Sequence, residues 1–230
     1  MLKTNNFKEC NKGYTLVELL VAVAVSGIVI AGTMAGYKVF SSQYDVLNKR
    51  MEIDRQVLLV INLIQKDVAM AGYKSHRSSN TLSAADALKK SSATDFSMVF
   101  DYQEKESDPI VRHLIRYSLG PGYVSDDGGA LRNKIYRDLR VCNAPASGCS
   151  ISTSTSKYSA GGLGEAIIDK VKNFEVKFSH TKTTGPYSGA AQIVKINLTV
   201  GTSRKVRSAS GWWIDKDFTF VSRAKNVSLL

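Results

Sequence analysis

The first apolar stretch of the chain is long enough to cross a membrane. An uncharged run of nineteen residues, Leu19–Tyr37, is rich in Leu, Val, Ile and Ala. At the helical rise of 1.5 Å per residue it extends roughly 28 Å, close to the thickness of a bilayer's hydrocarbon core. The polar segment before it, Met1–Gly13, carries three lysines and one glutamate. This pattern predicts one transmembrane helix with a cytoplasmic N-terminus.

A helical periodicity continues beyond that run, from Gln43 to Ala71, and Gly72 is a suitable residue to end it. Heptads do not persist long enough to favour a coiled coil. The predicted apolar face consists of Leu47, Met51, Leu58, Ile61, Ile64 and Val68. The predicted solvent-facing side consists of Asp45, Lys49, Arg50, Asp54, Arg55, Lys66 and Asp67. We therefore predict one long helix with an apolar first half and an amphipathic second half.

The remainder of the chain shows the alternation of β-strands. A polar connector, Ser75–Thr94, comes first and includes a predicted short helix around Ala84–Lys89. Turn-rich intervals separate the strands, which favours a mainly antiparallel sheet over repeated βαβ units. The predicted strands are Ser97–Tyr102, Val111–Ser118, Lys134–Asp138, Phe174–Ser179, Ile193–Val200 and Phe218–Ser222. The predicted fold class is α+β, with the amphipathic half of the helix lying across the sheet.

The net charge of +11 and the pI of about 9.5 indicate a basic surface. Such a balance is compatible with nucleic-acid or membrane-surface contact, but a solvated basic surface is the favoured interpretation. The hydrophobic fraction of 43% is that of a folded protein and argues against wholesale disorder. The net charge therefore does not identify a binding partner.

The cysteines point to an oxidising compartment. Cys142 and Cys149 flank a short loop that contains Pro145 and Gly148, whereas Cys10 lies in the N-terminal polar segment. We predict a Cys142–Cys149 disulfide in the exported protein. A zinc site is not favoured, because no second Cys/His pair has suitable spacing.

Glu18 is the anomaly of the N-terminus, because a carboxylate at the mouth of an apolar segment is unfavourable in a bilayer. Read alone, it is equally well explained as a residue near the lipid headgroups. The basic leader, Gly13, Tyr14, Glu18 and the apolar run together resemble the type IV prepilin signature. The resemblance implies cleavage by a prepilin peptidase between Gly13 and Tyr14. It also implies N-methylation of the new terminus, although Tyr14 stands where that family usually has Phe.

The same resemblance gives Glu18 a role in assembly. As the fifth residue of the mature chain, its carboxylate is expected to pair with the new amino terminus of a neighbouring subunit inside the fibre. Pairing two charges that are each unfavourable alone in an apolar core fixes the register between subunits.

Weaker similarity extends over the rest of the chain. The segments Gln65–Tyr73, Val171–Phe178 and Phe218–Asn226 resemble the minor pilin PilW class. The related pseudopilin J of type II secretion shares the general plan and is the alternative. The implied organisation is a leader (1–13), a transmembrane and assembly helix (14–42) and a periplasmic or extracellular globular domain (43–230). The implied partners are other minor and major pilins, the prepilin peptidase and the inner membrane, with the pilus or pseudopilus at the cell surface as the destination.

No constellation of residues predicts catalysis, and we expect neither an enzyme nor a cofactor. The three histidines, His76, His113 and His180, are far apart and lack motif partners. The turn Asp126–Gly129 is compatible with calcium binding or with a plain hairpin turn.

One basic and aromatic segment carries the remaining binding hypothesis. A pilus-tip module binding DNA or a surface would use basic side chains to meet phosphates and aromatic rings to stack bases. A loop whose tryptophans pack on the sheet or on a neighbouring subunit is the favoured interpretation. The candidate residues are Arg204, Lys205, Arg207, Trp212 and Trp213.

Overall fold

The protein has an α+β fold, as the sequence predicts. The computed structural model describes residues 14–73, 87–103, 105, 108–120, 132–143, 164–180, 191–201 and 215–226. In these ranges one long helix, α1 (Leu16–Met70), precedes a series of strands. The strands are β1 (Leu88–Ser92), β2 (Asp95–Tyr102), β3 (Val111–Gly120), β4 (Asn133–Asn143), β5 (Glu165–His180), β6 (Ala191–Gly201) and β7 (Asp215–Arg223).

The seven strands form one antiparallel sheet in the order in which they occur along the chain. All six predicted strands are present, and each is longer than its alternation suggested. The helix predicted around Ala84–Lys89 is wrong at Leu88 and Lys89, because both residues belong to β1. Leu88 is buried and pairs with Met98 of β2, and this cross-strand contact outweighs local helix propensity. Residues 84–86 lie outside the described part of the chain.

Two compact units make up the chain, Met1–Asn48 and Lys49–Leu230. In the first unit, nearly all of the described section of α1 is exposed, and the helix is long and apolar enough to cross a membrane by length and composition. The apolar helix fits a single-pass membrane anchor.

In the second unit, α1 buries one row of aliphatic side chains in a core shared with the sheet. Each contributes about 1.5–3 kcal/mol relative to an exposed position. Among the residues of the predicted apolar face, Ile64 and Val68 are buried, which confirms that part of the prediction. The buried row is Ile53, Val57, Val60, Ile64 and Val68.

The predicted apolar face of the helix is wrong at Leu47, Met51 and Leu58, which are exposed. The amphipathic half carries two apolar faces, and local spacing does not distinguish the one that packs on a sheet.

Burial in the sheet follows the alternation of the strands in some elements and departs from it in others. Alternate residues of β5, such as Phe174 and Val176, are buried in the core, whereas β3 buries the consecutive residues Leu114 and Ile115.

Candidate assembly site

The first turn of α1 is closed by a reciprocal cap between Thr15 and Glu18. The backbone N–H of Thr15 donates to Glu18 Oε2 at 2.9 Å, and the backbone N–H of Glu18 donates to Thr15 Oγ1 at 3.3 Å. The Thr15 hydroxyl also donates to Glu18 Oε2 at 3.1 Å. This is the capping box, in which Thr at the N-cap and Glu three residues later satisfy amide groups that a helix start leaves unpaired.

The cap gives the Glu18 carboxylate a hydrogen-bond partner within its own chain. Tyr14 precedes the cap and is 90% exposed, whereas Gly13 lies outside the described residues. An amino terminus created at Tyr14 would therefore lie one residue before the Thr15 N-cap. The cap within its own helix would therefore compete with the pairing to a neighbouring chain that the sequence analysis expects of this carboxylate.

The comparisons with known proteins bear on this N-terminus. Residues 10–34 match the family model described as the prokaryotic N-terminal methylation motif. The motif is that of a type IV pilin-like substrate of a prepilin peptidase. A type IV pilin-like N-terminus of this kind suggests a structural rather than an enzymatic protein, with pilin subunits and a peptidase as partners. No curated protein and no solved structure matches the chain.

A buried polar cluster holds the last turns of α1 on the sheet. Tyr117 of β3 donates its hydroxyl to Asp67 Oδ2 at 2.5 Å, and Arg137 Nε of β4 donates to the same oxygen at 2.8 Å. Burial of the Tyr117 ring, together with the Asp67 carboxylate, raises the pKa of the tyrosine hydroxyl far above its ordinary value. Tyr117 therefore remains a protonated donor at any physiological pH.

The sequence analysis placed Asp67 on the solvent-facing side, and the structure corrects this, because Asp67 is buried. The helical spacing in the sequence did indicate burial of Asp67, because this residue lies three residues after Ile64 and seven after Val60, which are both buried. A carboxylate in that row is tolerated because a cation and a hydroxyl from the sheet reach it. No sequence pattern identifies those partners, which lie on β3 and β4.

The end of α1 is fixed by Gly72 and its neighbours. Gly72 has a φ of +74°, the left-handed conformation in which many helices end. Residues that carry a Cβ disfavour this conformation, and glycine adopts it readily. Its N–H donates to the Val99 carbonyl at 2.9 Å, and the Asp101 N–H donates to the Tyr73 carbonyl at 2.8 Å. The predicted C-cap is confirmed, and these bonds attach the end of the helix to β2.

The C-terminal segment returns to the same helix end. Asn226 Nδ2 donates to the Ala69 carbonyl at 3.1 Å, and Ala224, which is buried, donates its N–H to the Gln192 carbonyl at 2.9 Å. The last turn of a helix has carbonyls without intrahelical partners, and the Asn226 amide supplies one of them with a donor.

Of the other predicted site residues, those that the structure describes lie away from this cluster. Cys142 lies near the end of β4, opposite Arg112 of β3, and Cys149 is outside the described residues. His113 stacks on Phe100 with ring centroids 5.1 Å apart, and burial lowers its pKa. Outside the described ranges lie His76, the Asp126–Gly129 turn, and Arg204, Lys205, Arg207, Trp212 and Trp213. Within those ranges no group of His, Cys, Asp and Glu side chains is arranged to hold a metal ion.

Proposed function

We propose that the chain is a minor pilin of the PilW class, a structural subunit of the complex that initiates or caps a type IV pilus. The observation that carries the proposal is the methylation motif over residues 10–34, which runs directly into a helix of 55 residues. The proposal includes cleavage between Gly13 and Tyr14 by a prepilin peptidase. It also includes release of the anchored subunit into the fibre, where Glu18 meets the amino terminus of a neighbour.

The three segments that resemble the PilW class have defined places in the fold. Two of them, Gln65–Tyr73 and Phe218–Asn226, meet at the end of the helix through the Asn226–Ala69 hydrogen bond. The third, Val171–Phe178, lies in β5 and contributes Phe174 and Val176 to the core.

Pseudopilin J of a type II secretion system is the same-class alternative. The pseudopilin alternative predicts the same anchor, cleavage and helix. The two proposals therefore differ in the assembly that the subunit joins, a pilus or a secretion system, and not in the fold. Crosslinking in the native cell distinguishes them. Adducts with pilus subunits and with sheared fibres support the minor pilin, whereas adducts with secretion-system pseudopilins support the alternative.

We expect the mature chain to begin at Tyr14. Intact-mass analysis of the membrane fraction should show loss of thirteen residues, because the charged leader and Gly13 stand directly before the apolar helix. A Gly13→Leu variant is the matched control and should retain the leader, since a bulky side chain replaces glycine at the cleaved bond. Wild-type protein that enters fibres with Met1–Gly13 still attached would contradict the prepilin assignment.

We expect a disulfide between Cys142 and Cys149 in the exported chain. The loop that it closes is short, so in the loop-closure model it contributes roughly 2–3 kcal/mol at most. Alkylation of native protein followed by peptide mapping should find both thiols protected until a reductant is added. Cys10 belongs to the proposed leader and should be missing from the mature protein. Free labelling of Cys142 and Cys149 without reductant would refute the pairing.

A further inference from the structure

The two edge strands of the sheet differ in how well they are protected against pairing with another strand. Strand β1 has five residues, carries Lys89 and Lys90, and loses its regular register with β2 after Lys90. Short, irregular edges with lysines resist the addition of a strand. Strand β7 has nine residues and pairs with β6 without a register shift. Within the described part of the chain no strand pairs with the other side of β7, so its backbone groups there are able to receive one.

The side chains of β7 are compatible with a neighbouring strand. Lys216 is the one lysine of this strand, and its charge is matched by Asp54 of α1. Val221 is 53% exposed, which places a large apolar side chain beside the open edge. The exposed side of the strand consists of Asp215, Asp217, Thr219, Val221 and Arg223.

The charges on this exposed side are self-complementary when two copies of β7 run antiparallel. Asp217 lies near the start of the strand and Arg223 at its end, so each can face the other across the pair. Neither forms an ion pair within the described ranges. Asp215 differs, because Arg132 and Lys172 already bind its carboxylate, which leaves Asp217 as the partner for Arg223. Opposite charges that face each other across antiparallel strands are stabilising.

Pairing Asp217 with Arg223 fixes the register of the whole contact. Thr219 then lies opposite Val221, and β-branched side chains are well suited to such cross-strand pairs. Phe220 lies opposite itself, on the two-fold axis, and two equivalent ion pairs flank the axis. No like charges are opposed in this register.

The symmetry of the contact decides which copies it joins. The axis that relates two antiparallel strands of one sheet is perpendicular to the sheet, so it reverses every direction in the plane of the sheet. The section of α1 that packs across the sheet, residues 53–68, would therefore run in opposite directions in the two copies. Subunits of one fibre share one helix direction, so the two copies belong to different fibres.

We propose that β7 is a homotypic contact strand, to which β7 of a second copy of this chain on another fibre adds edge to edge. The inference rests on the proposed function, because a subunit at the tip of a fibre is accessible to the tips of other fibres. It goes beyond that function by assigning the subunit a contact between fibres. Backbone hydrogen bonds and two Asp217–Arg223 ion pairs hold this contact together.

Disulfide trapping between separate nanodiscs tests the contact and its register. The processed full chain is placed singly in nanodiscs of phosphatidylethanolamine and phosphatidylglycerol, one set carrying Thr219→Cys and the other Val221→Cys. Opposed Cβ atoms of paired strands lie about 4.5–5.5 Å apart, within reach of a disulfide after small adjustments. Under a mild oxidant the mixture should form dimers faster than either set alone, because only positions 219 and 221 are opposed. Chains with the native cysteines alone give the background.

The charges are tested on the same background. Arg223→Asp in both sets should slow formation of the mixed dimer by roughly tenfold, because both ion pairs become contacts between carboxylates. Lys195→Asp is the matched control, since Lys195 is exposed on β6, away from the edge, and its replacement changes the net charge equally. This control should not slow the reaction. Asp217→Arg combined with Arg223→Asp restores opposite charges and should recover most of the lost rate.

The outcomes separate this inference from the function on which it rests. Fibres that contain the chain with Met1–Gly13 attached, or that lack the chain, count against the proposed function. For a processed, fibre-incorporated chain, the absence of a mixed dimer above background overturns the contact, and so does a dimer that forms only when both chains share one disc. Equal rates with and without Arg223→Asp overturn the role of the charges. A mixed dimer between discs that follows the charges supports the proposal.

Discussion

Glu18→Gln should leave cleavage and membrane insertion intact and should strongly reduce incorporation into the fibre. Glutamine at this position preserves the reciprocal cap with Thr15, because the capping box accepts Glu or Gln at its third helical residue. It removes the charge that the neighbour's amino terminus requires in an apolar core. Stranding one member of a buried ion pair has an energetic penalty of about 3–5 kcal/mol. The measurement is the amount of variant that co-purifies with sheared fibres, beside the mass of the processed chain.

Glu18→Ala is the matched variant that separates the two uses of the carboxylate. It removes both the charge and the cap, and loss of a cap has a typical penalty of about 1 kcal/mol. If the ion pair governs assembly, both variants should be depleted from fibres to a similar degree. Depletion of Glu18→Ala alone would assign Glu18 to helix capping and remove its role between subunits.

Asp67→Ala should be the most destabilising single change at the end of α1. It leaves the Arg137 guanidinium and the Tyr117 hydroxyl in the core without their shared acceptor. Breaking a buried pair by removing one partner lowers the free energy of unfolding by about 3–5 kcal/mol. Urea unfolding of the processed, detergent-solubilised chain, followed by the circular dichroism of the sheet, measures the change.

Asp54→Ala is the control for that experiment. Asp54 also joins α1 to a cation of the sheet, Lys216, but both side chains are more than a third exposed. Water screens such a pair, so its removal should lower the free energy of unfolding by only about 0–1 kcal/mol. Equal effects of Asp67→Ala and Asp54→Ala would show that burial of the Asp67 cluster adds nothing.

Much of the architecture could be predicted because it depends on local spacing. The continuous helix, the alternation in β5 and β6 and the C-cap at Gly72 each repeat or end a pattern within a few residues. β1 was missed for the opposite reason. Leu88–Ser92 contains two lysines and two serines and acquires its strand conformation from pairing with β2.

The sequence by itself determined the N-terminal motif, the long helix and the α+β class, since charge, hydropathy and period are properties of neighbouring residues. Only the tertiary structure decided which face of the helix is buried and which partners reach its end. Tyr117, Arg137 and Asn226 contact that end across separations of 50, 70 and 157 residues. Contacts over such distances depend on how the completed sheet packs against the helix, which the spacing of neighbouring residues does not encode. The same packing leaves Met51, Leu58 and Leu59 exposed, because one sheet covers only one side of a helix.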